Sequence, residues 1–153
     1  MIVRLAFQVV VLVVVSGVAA FVANGLRSGG IEWRGGDPER FRYPGVEFIS
    51  IEDAAVLHED LSTLFLDARS PRDFETRHVF AAVSFPADDV EAAYEELRDF
   101  LDPQMNLVVY STETLVAVRA ARFLGERGFR ASVLDGGWEE WRGRRLPVEG
   151  GSP

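Results

Sequence analysis

The segment from Asn106 to Arg122 joins an apolar run to a helical pattern through a short polar stretch. The run Leu107–Tyr110 predicts a buried strand, Ser111–Val116 predicts a loop, and the following residues predict a helix reaching about Gly128. In α/β folds, anions and reacting groups are held where a parallel strand leads into a helix, because backbone N–H groups and the helix dipole supply positive potential there. We therefore expect the functional site of this chain at residues 111–116.

Short apolar runs and helical patterns alternate on both sides of this segment. Strands are predicted at Phe48–Ile49, Leu64–Ala68, Ala82–Phe85 and Ala131–Leu134. Helices are predicted at Ile51–Glu59, Pro71–Thr76 and Gly136–Trp141, and a further amphipathic helix, capped by Asp88 or Asp89, extends to Leu101. Ser50 and Ser70 precede two of these helices and are typical N-caps. Strands that alternate with helices indicate a parallel sheet with helices on both faces. The sequence thus predicts one α/β domain over residues 46–150.

An almost uninterrupted apolar stretch from Leu5 to Leu26 precedes this domain. About 20 apolar residues are needed for a helix to cross a bilayer. We predict that residues 1–26 form one N-terminal transmembrane helix. The alternative is a cleaved signal peptide, in which Val18-Ala19-Ala20 would satisfy the small-residue cleavage rule. We favour the anchor because the stretch is longer than the usual signal core of about 7–15 residues.

Residues 27–45 are rich in Gly, Arg and Pro and have no apolar period, which predicts a linker between the anchor and the domain. Arginines on the two sides of the anchor are nearly balanced, with Arg4 before it and Arg27 and Arg34 after it, so charge does not decide the orientation. A short N-terminal tail before a single anchor favours the non-cytoplasmic, periplasmic side for the domain.

Composition excludes several classes of function. The formal net charge is −8 and the pI is about 4.8, which argues against nucleic-acid binding. The chain has no cysteine. It therefore has no disulfide, no thiolate metal site and no thiol nucleophile, and it cannot carry a persulfide.

Two motifs around the central segment carry a family resemblance. The first comprises Leu66-Asp67-Ala68-Arg69-Ser70-Pro71-Arg72-Asp73-Phe74, His78-Val79 and Ala82-Val83-Ser84-Phe85-Pro86; the second comprises Gly128-Phe129, Gly136-Gly137-Trp138, Trp141 and Leu146-Pro147-Val148. From about Phe48 to Glu149 the chain resembles the rhodanese-like domain family. The resemblance implies the rhodanese-like fold, with Asp67, Arg69 and His78 as structural residues of the first motif.

The chain departs from the family at the residues that carry its chemistry. In active members the central strand ends in a nucleophilic cysteine, which opens a six-residue loop that a basic residue often closes. Alignment on the following helix gives the loop Ser111, Thr112, Glu113, Thr114, Leu115, Val116 in this chain. A serine cannot form a persulfide and is a weak nucleophile without a partner base. Glu113 adds a negative charge where an anionic substrate would lie, and Val116 supplies no positive charge.

An oxygen nucleophile at Ser111 would need a base, and the only histidines are His58 and His78. We interpret His78 as a hydrogen-bonding residue of the motif and His58 as a solvent-facing residue. A Ser–His–acid arrangement with Asp67 is the alternative that these residues leave open. A serine between a strand and a helix is more often a cap.

The acidic residues do not follow the spacing of a metal site. Glu113 could meet Asp67, Asp135 or Glu139, but scattered carboxylates are usually helix caps or solvated surface, so we predict no metal and no cofactor. We predict that Asp67 and Arg69 form an ion pair, and that Trp138 and Trp141 pack in and at the edge of the core. The charged face Glu91, Glu95, Glu96, Asp99 is typical of the solvent side of an amphipathic helix.

Two hypotheses for the function follow. The first is a membrane-anchored, catalytically inactive rhodanese-like domain that binds a protein partner, as a tether or accessory subunit of a membrane complex. In that case residues 111–116 and the linker are the candidate contacts. The second is an enzyme without a thiol, or a binder of a small anion such as a sulfur oxyanion or phosphate, that uses the backbone amides of the loop.

Overall fold

The computed structural model of the chain describes residues 42–59 and 62–150. The predicted anchor at residues 1–26 and the predicted linker up to residue 41 lie outside the described residues. Within the described ranges, no helix has both the length and the apolar character that a membrane crossing requires.

Strands and helices alternate along the described chain, as predicted. The strands are β1 (Glu47–Ile49), β2 (Thr63–Asp67), β3 (His78–Val79), β4 (Val83–Ser84), β5 (Asn106–Tyr110), β6 (Arg130–Leu134) and β7 (Val148–Glu149). The helices are α1 (Ile51–Leu57), α2 (Pro71–Thr76), α3 (Val90–Leu97), α4 (Thr114–Gly125) and α5 (Gly137–Gly143), and a 3₁₀ turn (Ala87–Asp89) precedes α3. The sequence does not predict β3 and β7, because a two-residue strand has no apolar alternation to detect.

Five of the strands form a parallel sheet in the order β1-β6-β5-β2-β4. Strands β3 and β7 form a separate antiparallel pair. The central strand β5 lies between β6 and β2, with Asn106 opposite both Arg130 and Thr63. The α/β class and the parallel sheet are therefore confirmed.

Helices cover both faces of the sheet, as the alternation of side chains along β5 shows. Leu107 and Val109 belong to a core cluster with residues of α3 and α4, including Ala93 and Val118. Val108 and Tyr110 belong to a second cluster on the other face with residues of α1 and α5, including Ala54 and Trp141. Successive residues of a strand point to opposite faces, so an all-apolar strand is buried on both sides.

Serine caps place two of the helices as predicted. The Ser50 hydroxyl accepts a hydrogen bond from the Asp53 N–H at 3.1 Å, and the Ser70 hydroxyl accepts one from the Asp73 N–H at 3.2 Å. Pro71 occupies the first position of α2, where its missing N–H is not needed.

Helix ends are predicted less well than helix starts. Three helices end earlier than predicted: α1 at Leu57 instead of Glu59, α3 at Leu97 instead of Leu101, and α4 at Gly125 instead of about Gly128. After α3 and α4 the chain tightens into turns, since the Phe100 N–H donates to the Leu97 carbonyl at 2.8 Å and the Gly128 N–H to the Gly125 carbonyl at 3.0 Å. The apolar pattern continues through such turns, so the pattern alone does not mark where the helix ends.

Candidate functional site

The candidate site lies where β2 and β5 end side by side. Asp67, the last residue of β2, is opposite Tyr110, the last residue of β5, and Ser111 follows directly. The predicted six-residue loop is shorter in the structure, because α4 already begins at Thr114. The Glu113 carbonyl accepts hydrogen bonds from the N–H groups of the next helical turn, so only residues 111–113 form the loop. Thr114, Leu115 and Val116 are the first turn of α4.

Ser111 is fixed by its backbone and covered by α5. It is only 5% exposed, and its carbonyl accepts a hydrogen bond from the Trp138 N–H at 3.0 Å. Gly137 passes so close that a Cβ at that position would lie 2.2 Å from the Ser111 oxygen, and its φ is +54°. A glycine is therefore required for both the backbone conformation and the close approach.

A buried ion pair lies directly under this loop. The Asp67 carboxylate, which is fully buried, accepts hydrogen bonds from the Arg69 guanidinium at 2.9 Å and 2.6 Å and from the Tyr110 hydroxyl at 2.8 Å. The Tyr110 hydroxyl accepts a hydrogen bond from the Val79 N–H at 3.0 Å, and Arg69 also donates to the Arg77 carbonyl at 2.7 Å. The predicted pairing of Asp67 with Arg69 is confirmed. Its hydrogen bonds join β2, β3, β5 and the end of α2.

The electrostatics of this network stabilise its present ionisation. Burial acts to lower the pKa of Arg69, but the hydrogen bonds and charge of Asp67 outweigh it and the pKa lies above its ordinary value. Burial and the negative charge of Asp67 raise the pKa of the Tyr110 hydroxyl well above its ordinary value. The guanidinium carbon of Arg69 also lies 4.1 Å from the centre of the Trp138 ring, a cation–π contact. The buried polar groups of the network are thus hydrogen-bonded to one another, and Arg69 is only 8% exposed.

Neither histidine forms the Ser–His–acid arrangement. His78 lies with Nδ1 2.7 Å from the Phe74 carbonyl and Nε2 3.3 Å from the Glu149 carboxylate. His58 does not face solvent as predicted, because its Nε2 lies 2.8 Å from the Phe80 carbonyl and its ring is 5.4 Å from that of Trp141. The carboxylate of Asp67 is already occupied by Arg69 and Tyr110.

The surface of the site is formed by side chains that face solvent. Thr112 and Glu113 are exposed, Leu115 is 53% exposed, and Thr114 and Val116 are half-buried. Glu113 occupies the N-cap position of α4, but its side chain makes no capping hydrogen bond. In residues 42–59 and 62–150, no group of three or more histidine or acidic residues is arranged to hold a metal ion. The surface therefore offers backbone amides, threonine hydroxyls, one carboxylate and one exposed leucine side chain.

The predictions for the surrounding side chains are confirmed. Trp138 is 6% exposed and Trp141 is fully buried, so both pack in the core. The charged face Glu91, Glu95, Glu96, Asp99 is exposed along α3 and the turn after it. The role of Tyr110 is not predicted by the sequence, although a tyrosine that ends an apolar strand needs a partner for its hydroxyl.

Comparison with known proteins identifies the family. The model of the rhodanese-like domain matches residues 50–144 of this chain. The chain belongs to the rhodanese-like domain family. Because it has no cysteine, sulfur transfer through a thiol has no nucleophile in this member.

Solved structures share this fold. The chain is similar to the BH2092 protein from Bacillus halodurans, with a TM-score of 0.63 and 22% identity over 73% of this chain and 82% of that one. It is similar to the Alr3790 protein from Anabaena sp., with a TM-score of 0.60 and 22% identity over 67% of this chain and 81% of that one. A structure of EanB with ergothioneine covalently linked to a persulfide cysteine gives a TM-score of 0.62 and 19% identity, over 69% of this chain and 28% of EanB.

Proposed function

We propose that this chain is a membrane-anchored rhodanese-like domain that does not transfer sulfur and acts by binding a protein partner. It serves as a tether or accessory subunit of a membrane complex, with the domain on the periplasmic side. The observation that carries the proposal is the contrast at the end of β5. The buried residues that support the loop are intact, whereas the position of the nucleophile holds Ser111 and the chain has no cysteine.

The exposed residues of the site suit a protein partner better than an anion. Glu113 is exposed at the N-terminus of α4, where its negative charge offsets the positive potential of the helix. Val116 brings no positive charge to the first turn. Leu115 is one of the exposed large apolar residues of the described chain and lies in the same turn. The centre of a protein–protein interface is more apolar and less charged than the rest of the surface, and an exposed leucine suits such a position.

Co-purification of the full-length protein from its native membranes in mild detergent tests this proposal. We expect a partner in fixed stoichiometry with the wild-type protein and its loss from the Leu115→Asp variant. Val56→Asp is the matched control, because Val56 is also an exposed apolar residue, at 73%, but lies on α1. Recovery of the protein alone, or equal retention of the partner by both variants, would contradict binding through this surface.

The second candidate function is binding of a small anion by the amides of the loop. One observation favours it: no side chain caps α4, so the N–H groups of its first turn are not used by the Glu113 carboxylate. Calorimetric titration with thiosulfate, sulfite and phosphate distinguishes the two functions. A dissociation constant in the millimolar range or below, with tighter binding in Glu113→Gln, would favour anion binding as the function. The absence of heat with all three anions would exclude it.

A further inference from the structure

We propose that the C-terminal segment Leu146–Gly150 is a latch that holds the loop 111–113 in place through β3. The inference rests on the proposed function in one respect, since it takes this loop as the element that meets the partner. It adds a means of regulation, because anything that displaces the latch would loosen the loop.

The latch is attached to β3 and to the turn that follows it. Strand β7 pairs with β3 in antiparallel register, with Glu149 opposite His78. The Phe80 N–H donates to the Pro147 carbonyl at 3.2 Å. The Glu149 carboxylate accepts a hydrogen bond from the Ala81 N–H at 2.7 Å and lies 3.3 Å from His78 Nε2. The segment therefore supplies the acceptors for two backbone N–H groups of this turn, those of Phe80 and Ala81.

The turn depends on the latch because its backbone is strained. Ala81 has a φ of +58°, in the left-handed region, which is unfavourable for a residue with a Cβ. The hydrogen bond from its N–H to Glu149 favours this conformation. Without the carboxylate, Ala81 has less to hold it there, and we expect the turn to relax.

From β3 the connection continues to the end of β5. The Val79 N–H donates to the Tyr110 hydroxyl at 3.0 Å, and both residues are fully buried. Tyr110 directly precedes Ser111, so the position of β3 bears on the start of the loop. A displaced β3 would leave the Tyr110 hydroxyl without one of its two partners.

A second connection runs through α5. The Trp141 indole N–H donates to the Pro147 carbonyl at 3.0 Å. Trp138, one turn earlier in the same helix, donates its backbone N–H to the Ser111 carbonyl at 3.0 Å. The latch is therefore connected to the loop indirectly by two routes, through β3 and through α5. Displacement of the latch would act on the loop along both routes, as in a conformational switch.

Hydrogen exchange of the full-length protein in detergent, without any partner, tests the latch. In Glu149→Ala we expect roughly tenfold faster exchange of the amides at residues 79–82 and of the Trp138 amide, which reports on Ser111. The amides of residues 107–109 should be unchanged. Glu96→Ala is the matched control, since it removes an exposed carboxylate from α3 and should leave all these amides unchanged.

A double variant sharpens the test. Adding Ala81→Gly to Glu149→Ala should restore slow exchange at Val79, Phe80 and Ala82, because glycine adopts a positive φ without the carboxylate. The amide at position 81 should stay fast, because its acceptor is gone. If Glu149→Ala is poorly folded, Glu149→Gln retains an acceptor for the Ala81 N–H and should show the same pattern more weakly. Faster exchange confined to residues 146–150, or spread evenly over the chain, would contradict the proposal that this segment holds the loop in place. That result would leave the proposed partner binding intact, since no partner takes part in the measurement.

Discussion

The buried network and the segment Ser111–Val116 meet at the end of β5, where Tyr110 directly precedes Ser111, but they differ in what they retain. Asp67, Arg69 and Tyr110 form a fully hydrogen-bonded unit beneath the loop. The adjoining segment Ser111–Val116 has lost the thiol and the closing positive charge that the family resemblance implies. The support of a site and its chemistry are therefore separable. We expect the buried network to hold the fold together and the exposed side chains of the segment to contribute little to its stability.

The largest effect is expected from breaking the buried ion pair. Asp67→Ala leaves the Arg69 guanidinium buried without its carboxylate, and we expect a loss of about 3–5 kcal/mol in the free energy of unfolding. Urea unfolding followed by circular dichroism measures it. The double variant Asp67→Ala/Arg69→Met should recover part of the loss. A loss of less than about 1 kcal/mol in the single variant would show that the network is not essential to the fold.

Gly137→Ala should have the next largest effect, because it disturbs the contact of α5 with Ser111. Its Cβ would meet the Ser111 carbonyl oxygen at 2.2 Å, and its φ is +54°. We expect a loss of about 2–4 kcal/mol from overpacking and backbone strain together. The same urea transition measures it, with Gly143→Ala as control, since a Cβ at Gly143 meets nothing within 4 Å.

Tyr110→Phe should cost about 1–3 kcal/mol, because it leaves the Val79 N–H without its acceptor. It should also change the response to alkali. Since the pKa of Tyr110 is raised in the folded state, its contribution to stability is complete below the ordinary tyrosine value of about 10 and is lost as the pH rises further. Unfolding curves between neutral pH and about pH 11 should show this loss in the wild type and a smaller one in Tyr110→Phe. Equal alkaline destabilisation of both would contradict the role of this hydroxyl.

The smallest effects on stability are expected from the exposed side chains of the segment Ser111–Val116. Glu113→Gln and Thr112→Ala change exposed side chains, and we expect each to shift the free energy of unfolding by no more than about 0.5 kcal/mol. A larger loss in either would mean that the segment supports the fold, and the contrast between the two regions would fail.

The sequence predicts the architecture well because the fold rests on local patterns. Apolar runs mark the strands of the parallel sheet, and Ser50 and Ser70 mark two helix starts through hydrogen bonds three residues away. The family motif also predicts the pairing of Asp67 with Arg69.

Contacts between residues distant in the chain are the part that the sequence does not reveal. The His58 ring contacts the Phe80 carbonyl, and the Glu149 carboxylate contacts the Ala81 N–H. The elements that bring these residues together are too short to show a periodic pattern in the sequence. The start of α4 at Thr114 is not predicted either, because the family resemblance places the end of the loop at Val116. Local patterns specify where an element lies, while its tertiary partners depend on how the elements pack.

The central claim is that the buried network remains intact while the reacting residues of the loop are absent. It is tested most directly by putting the reacting residues back. The measurement is sulfur transfer from thiosulfate to cyanide by the full-length wild type and by the Ser111→Cys/Val116→Arg variant, with Ser111→Ala/Val116→Arg as the control. The account predicts no transfer above the blank by the wild type and the control, and measurable transfer by the cysteine variant on its intact support. Transfer by the wild type, or a folded cysteine variant with no activity, would contradict it.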